Sequence, residues 1–356
     1  MGLFFGTLLL PDNDDKISLA THNFHDSHKE LPAAWAIKPA IARVQKFSPT
    51  RNIAKDGLDN QIYRWGLFCE LLPFVEQQAA YDALSNWLLT TVTTSTSIGP
   101  WSTTDGTRAK VNSFICPSDS IGTVSQGAGD SVRGRTDYHL SLADCVVNDN
   151  TATLEKLRGP FREGSRLRTD MSVYSDGTSN TIVFSEVVMN PPEGSQFVVG
   201  GLAFQTAPYS ASDCLAAMSG KELLGTGSRG AAEGGSGPSV PGWYNSDTNG
   251  IGKMWSEGLP VQTAFNTILP PNSPSCAAGS NNYPSSSNVM ITPSSYHSGG
   301  VNAGLGDGSV RFISQTIDCG NVADYPSDVT ATIVGKSPYG VWGAYGSVKG
   351  GESKSL

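Results

Sequence analysis

Two groups of residues in this chain are of kinds that do chemistry. In YHSGGVNAGLGDGSVRFIS, residues 296–314, nine residues separate His297 from Asp307-Gly308. A histidine with a carboxylate partner is the general base of a nucleophilic hydrolase. In HNFHDSHKE, residues 22–30, His22, His25, Asp26, His28 and Glu30 are all donors of the sort zinc accepts. Spacing weakens both readings. At about 100° per residue, His22, His25 and His28 fan across about 120° of a helix surface and do not converge on one ion. His25 and Asp26 are adjacent and point apart. The expectation is helix-end histidines packed beside the rest of the fold, with no metal and no cofactor. A hydrolase also needs a nucleophile, and no GxSxG elbow is present. A triad is a spatial object, however, so a hydrolase with His297 as its base stays as an alternative. GxxxxGK(S/T) phosphate loops and EF-hand spacing are absent. Asn148-Asp149-Asn150 reads as a solvated turn rather than a calcium loop.

The elements that must hold these residues follow from periodicity. Over residues 12–31, Ile17, Ala20, Phe24, His28 and Leu31 recur at three and four, which predicts a helix with one buried face, stopped by Pro32. Asp12, Asp14 and Asp15 sit where the helix dipole favours negative charge. A second helix is predicted over 73–89, with Pro73 in its first turn and Phe74, Gln78, Tyr81, Leu84 and Leu88 on its buried side. Beyond Thr90 the texture changes to short β-rich runs between Gly, Pro, Asn, Asp and Ser clusters: TTVTTSTS, FICPSD, TIVFSEVVM, QFVVGGLAF, NVMITP and SVRFIS. The segment near 225–242, GTGSRGAAEGGSGPSVPG, is a Gly-rich loop by composition. The fold class is α+β: an N-terminal helix over residues 1–34 leading into a β-rich antiparallel head over 35–356 with long loops.

Asp176-Gly177 and Asp307-Gly308 each stand immediately before a strand-like run. Asp-Gly favours tight hairpin turns, whose central residues need positive φ. The gap between His297 and Asp307 then reads as one hairpin arm: Val301 to Leu305, a turn at Asp307-Gly308, and a return over 309–313. His297 and Asp307 should lie at opposite ends of that arm without touching. His297 should instead hydrogen-bond a backbone or carboxylate group.

The totals restrict partners. With 356 residues, 40 glycines, 21 prolines and a net charge of −8 carried by only 16% charged residues, the surface is largely neutral and polar. Without a basic excess, nucleic acid is not an expected partner. A neutral Ser, Thr and Asn surface does suit an extracellular glycan, and Trp243, Tyr244 and Trp255 near the Gly-rich loop are candidate stacking faces for one. Six scattered cysteines without CxxC spacing fit disulfides in an exported protein, with buried free thiols as the alternative. Cys214–Cys276 is the favoured pair, because each lies in a polar stretch. No run approaches the roughly 18 apolar residues that span a bilayer.

Read together, several pieces resemble a bacterial family with an H-x9-DG signature near its C-terminus, the domain of unknown function 1559, often described as prepilin-type or pseudopilin-like. They are ISLATHNFHDSHKELPAAW, LLPFVEQQAAYD, FICPSD, SDGTSNTIVFSE, TILPPNSPSC and SSYHSGGVNAGLGDGSVRFIS, in family order from Ile17 to Ile313. The resemblance implies a pilin-like helix that packs into an assembly. GLFFGTLLLP, residues 2–11, resembles only the end of the family's apolar helix, and Thr7 stands near the place of an expected glutamate. No catalytic residues carry over. The signature maps onto His297, Asp307 and Gly308.

The sequence therefore predicts an exported, non-enzymatic, pseudopilin-like protein of the periplasm or cell surface. Its expected partners are further copies of itself or other pseudopilins, through the helix, and an external ligand through the head. A carbohydrate- or solute-binding module is the alternative from another class.

Overall fold

The computed structural model describes residues 13–36, 65–91, 100, 105–120, 133–146, 158–161, 169–190, 196–205, 210–224, 228–229, 242–245, 250–278, 288–321, 325 and 333–351. The expectations for residues 1–12, for most of TTVTTSTS, for Asn148-Asp149-Asn150 and for most of 225–242 lie outside these residues. Among the described residues, no helix is long and apolar enough to cross a membrane.

Helix α1 (Asp14–His28) buries Ile17, Ala20 and Phe24, three of the five residues predicted for its inner face. Leu31 is buried just beyond it, whereas His28 sits at its exposed end and stacks on Phe24 with ring centroids 4.4 Å apart. Pro32 does not stop the helix. Lys29 does, by turning left-handed at φ 59° and donating its N–H to the His25 carbonyl. The predicted helix over 73–89 is broken as well. A short helix (Leu67–Leu71) runs into a 3₁₀ turn (Leu72–Val75), Glu76 turns left-handed at φ 62°, and helix α2 (Gln78–Thr91) starts afresh. Leu84 and Leu88 are buried as expected, while Gln78, now at the helix start, is exposed.

The head is built on two five-stranded sheets. In chain order the strands are β1 (Tyr138–Ser141), β2 (Ile182–Glu186), β3 (Leu202–Gln205), β4 (Ser228–Arg229), β5 (Gly242–Asn245), β6 (Ala264–Phe265), β7 (Ser275–Ala278), β8 (Asn288–Met290), β9 (Gly300–Leu305) and β10 (Val310–Ser314). The first sheet has the order β6-β1-β2-β9-β10 and the second β8-β7-β3-β5-β4. Neither is purely antiparallel, since β6–β1, β7–β3 and β4–β5 pair in parallel. Of the predicted β runs, FICPSD is a 3₁₀ turn followed by loop rather than a strand, and Thr90 and Thr91 end α2.

The first sheet is the middle layer. On β9, Val301, Ala303 and Leu305 alternate toward an apolar cluster shared with Leu202, Ala277 and Val289 of the second sheet and with Ile291 just beyond β8. The opposite face carries α1, whose Ile17, Ala20 and Phe24 cluster with Tyr138 and Phe184. Gly304 lies under the helix, where a Cβ would stand 2.4 Å from Ser18 Oγ, so a side chain there would push helix from sheet. Asn13 secures the start of α1, donating its side-chain N–H groups to the Asn112 and Ile115 carbonyls at 3.1 and 2.9 Å.

Within β1, His139 is fully buried, and its Nδ1 lies 3.1 Å from the Ala264 carbonyl of the parallel β6. Burial lowers its pKa to about 4. The neutral ring is the folded form, so stability from this group is complete above pH 6.5 and is lost as pH falls toward 4. The loss should approach about 3 kcal/mol for this group alone. Urea titrations of wild type and His139→Gln at pH 7 and pH 4.5 test this: the gap between the two proteins should narrow at the lower pH, and a constant gap would refute it.

Candidate functional site

The signature stretch forms the expected hairpin. β9 and β10 pair from Gly300–Ser314 to Gly304–Val310, and the loop closes with the Gly308 N–H on the Leu305 carbonyl. The turn chemistry differs from the Asp-Gly expectation. Only Gly308 has positive φ, 88°, so the loop is a turn through Gly306 and Asp307 followed by a left-handed glycine. Asp307 accepts from the N–H and hydroxyl of Ser309 and stays at the turn. All of β9 separates it from His297. Asp176-Gly177 is also a turn, with Gly177 at φ 98°, but it links two 3₁₀ segments ahead of β2 rather than two hairpin strands. Asp176 is used there to accept the Gly351 N–H.

His297 meets a carboxylate, as expected, and it is Glu186 at the end of β2: Nε2 stands 3.0 Å from Oε1. The register of β2 on β9 sets Ser185 against Ala303. That leaves Glu186 beside Asn302, whose N–H donates to Oε2 at 2.8 Å. The third member is Cys116, from the turn after residues 112–114. Its Sγ lies 3.3 Å from Glu186 Oε1 and 4.0 Å from His297 Nε2. The backbone N–H of Cys116 donates to Asp137 Oδ2 at 2.7 Å, and the backbone N–H of His297 to Ser295 Oγ at 3.1 Å.

Asp119, Asp137 and Glu186 are all nearly inaccessible, at 1, 1 and 2% exposure, so three carboxyl groups gather in one buried place. Burial, then the charge and hydrogen bond of Asp119, push the Asp137 carboxyl well above the usual range. Burial, then the charge of Glu186, push the Cys116 thiol up. A chamber of about 10 Å³ lies against Cys116, Asp119, Asp137 and Glu186. On the outer side, His297 and Tyr296 line a groove of about 1030 Å³ with Gln196, Phe197, Lys221 and Asn272.

Among the described residues, Cys116, Glu186 and His297 are the group whose potential ligand atoms gather, all within 4.8 Å of one another. The histidines of α1 do not join it: His28 stacks on Phe24 and meets Phe74 edge-on, and His25, contrary to the expectation that it and Asp26 point apart, has Nδ1 3.7 Å from Asp26 Oδ1. Ser118 Oγ is 3.5 Å from His297 Nε2, but Glu186 occupies that same nitrogen. In a serine triad the acid and the nucleophile sit on opposite ring nitrogens, which this arrangement does not provide.

The aromatic candidates separate. Trp255 is fully buried, packed near Phe114 and donating its indole N–H to the Ala109 carbonyl, so it offers no stacking face. Trp243 and Tyr244 lie on β5, and their side chains fall outside the described residues. Exposed aromatics do border the groove, namely Phe197 and Tyr296, at 60 and 52%. Cys214 and Cys276 are disulfide-bonded, with Cα atoms 5.9 Å apart. Their setting is not the polar loop expected, since Cys214 sits in a short helix (Ala211–Leu215), Cys276 in β7, and both are fully buried. Cys69, Cys116, Cys145 and Cys319 are not disulfide-bonded.

The three residues at the centre come from three separate motif stretches, FICPSD, SDGTSNTIVFSE and the His297 signature, and one family model covers all three stretches. The model described as "Protein of unknown function (DUF1559)" matches residues 12–320. The chain belongs to this family. The DUF1559 match spans α1, both sheets and every residue of the Cys116–Glu186–His297 cluster. No curated protein and no solved structure matches the chain.

Sequence reasoning anticipated His297 and its carboxylate partner in kind, but missed Cys116, Asp119, Asp137 and Glu186. The available signal was that FICPSD and SDGTSNTIVFSE each carry ionisable groups at or near the end of an otherwise apolar or turn-forming stretch.

Proposed function

We propose that this DUF1559 protein is an exported, non-enzymatic, pilin-like component of the cell envelope. In this reading α1 mediates assembly with further copies or with other pseudopilins, and the head binds an external ligand. The packing of α1 carries the reading. One stripe of the helix is sealed onto a largely antiparallel β1-β2-β9-β10 arrangement, while Leu19 stays 59% exposed on its outer side. An N-terminal helix that is half core and half free surface suits a subunit that packs against neighbours through the helix. A buried disulfide supports an oxidising compartment.

The groove favours the second reading, a carbohydrate- or solute-binding module. Phe197 and Tyr296 offer apolar faces, and Gln196, Asn272 and Gln315 offer amides, a combination suited to a neutral polyhydroxylated ligand. Both readings are served by one chain if the helix assembles and the groove binds.

Oxidative cross-linking of Leu19→Cys, with Thr316→Cys on the head as the comparison, tests assembly in cells making the full-length protein. A ladder of cross-linked species from position 19, and far less from 316, is the expected result. Monomer alone, with retention on an immobilised polysaccharide that Tyr296→Ala abolishes, would replace assembly with the second reading.

A further inference from the structure

We infer that Cys116, Glu186 and His297 form a binding site for a divalent transition cation of the zinc class. The donor set is the first reason. One thiol sulfur, one imidazole nitrogen and one carboxylate oxygen is a zinc-type combination, and sulfur selects against calcium and magnesium. Geometry is the second. Around a tetrahedral ion with bonds of about 2.0–2.3 Å, donors stand about 3.3–3.8 Å apart. The three separations here are 3.0, 3.3 and 4.0 Å, so shifts of a few tenths of an ångström or somewhat more admit the ion.

The supporting shell is the third reason. Glu186 is held on its other oxygen by the backbone N–H of Asn302, and the backbone N–H groups of Cys116 and His297 are tied to Asp137 Oδ2 and Ser295 Oγ, which fixes the main chain carrying those two donors. The Asn302 contact orients the Glu186 carboxylate directly before a metal arrives. The small chamber beside Cys116 and Glu186 has room for a water-sized occupant, and Asp119 and Asp137 also line it. Three buried carboxyl groups around one thiol and one imidazole form a place where a dication offsets charge that burial otherwise penalises.

Occupancy replaces protons at the donors. The Cys116 S–H proton leaves to solvent as the thiolate takes the metal, and His297 presents the Nε2 lone pair with its remaining proton on Nδ1. Glu186 Oε1 then exchanges its contacts with the thiol and the imidazole for the cation, and Oε2 keeps Asn302. With three protein donors, the fourth position is left to water or to a ligand group. The inference stands apart from the assembly reading, because it concerns only the interior of the head.

Cobalt(II) added to the full-length protein after chelator treatment provides the test. Expected are one equivalent bound, a thiolate-to-cobalt charge-transfer band in the near ultraviolet, visible bands of tetrahedral intensity, and displacement by zinc. Cys116→Ser should abolish the charge-transfer band, while Glu186→Gln and His297→Gln should each weaken binding at least tenfold. Cys319→Ser and the pair His22→Gln/His25→Gln should change nothing. A band that survives Cys116→Ser, or that disappears with the α1 histidines, would overturn the site, as would no cobalt binding at all. If a core variant does not fold, zinc protection of Cys116 in wild-type protein against alkylation decides: mass mapping should show Cys116 shielded, and labelling unaffected by zinc would refute the inference.

Discussion

Glu186→Ala is expected to lower the free energy of unfolding by about 3 kcal/mol, because it leaves buried donors without their acceptor. Glu186 is 2% exposed and serves two buried donors, the Asn302 N–H and the Cys116 thiol, together with the half-buried His297 Nε2. The Asn302 contact matters most for the fold, since that N–H projects from β9 toward β2 and water does not reach it readily. The His297 contact counts for less, because the imidazole side chain is 23% exposed and its partner charge is partly screened. Urea denaturation in the presence of a chelator measures the loss without any metal contribution. A loss below about 0.5 kcal/mol would mean that the cluster is not a structural tie. Glu186→Gln should cost less than Glu186→Ala, because the amide oxygen still accepts from Asn302. A double-mutant cycle with His297→Ala isolates the pair, and coupling of about 1 kcal/mol is expected for a half-screened contact.

Removing the Cys214–Cys276 link is the second large effect. The bridge closes a sequence separation of 62 residues, for which loss of unfolded-chain restriction costs about 4 kcal/mol. Both cysteines are fully buried, and the bridge ties the short helix Ala211–Leu215 to β7 of the second sheet. Cys214→Ala/Cys276→Ala should therefore show a clearly lower denaturant midpoint, with the first sheet and α1 still formed. Because the sulfurs are inaccessible, reduction of wild type by a thiol should be slow in buffer and fast in denaturant. Equal midpoints for wild type and the double variant would contradict the prediction, as would fast reduction of the folded protein.

Local chemistry made much of the fold legible. Alternating Val301, Ala303 and Leu305, an Asp-Gly pair and the run VRFIS specify the β9–β10 hairpin within fifteen residues, and it forms. The three-and-four spacing of Ile17, Ala20 and Phe24 likewise names the face that α1 buries. Where the expectations failed, distant packing or an unforeseen backbone conformation intervened. Glu76 at φ 62° interrupts an otherwise regular helical pattern, and no residue type there announces a left-handed turn. Trp255 looked like a surface aromatic beside a Gly-rich loop, but its indole N–H finds the Ala109 carbonyl 146 residues away and its ring enters the core. Cys214 and Cys276 do pair, but in a buried setting that their polar sequence neighbours do not announce, since burial in β7 depends on β3 and β8 closing around it.

Residue by residue, the sequence determined that His297 and Asp307 would sit apart, because a strand has a fixed rise and a turn residue stays at its turn. A hairpin arm between them leaves His297 to pair with a group other than Asp307. Only the tertiary structure decided which partner that was. Cys116, Glu186 and His297 are separated by 70 and 111 residues, and they meet because β2 registers on β9 and the turn after residue 114 packs against the same end. Hydrophobic periodicity and turn chemistry act over a few residues. Which strand lies beside which, and in what register, depends on the burial of whole faces at once, and that is what set a thiol, a carboxylate and an imidazole around one point.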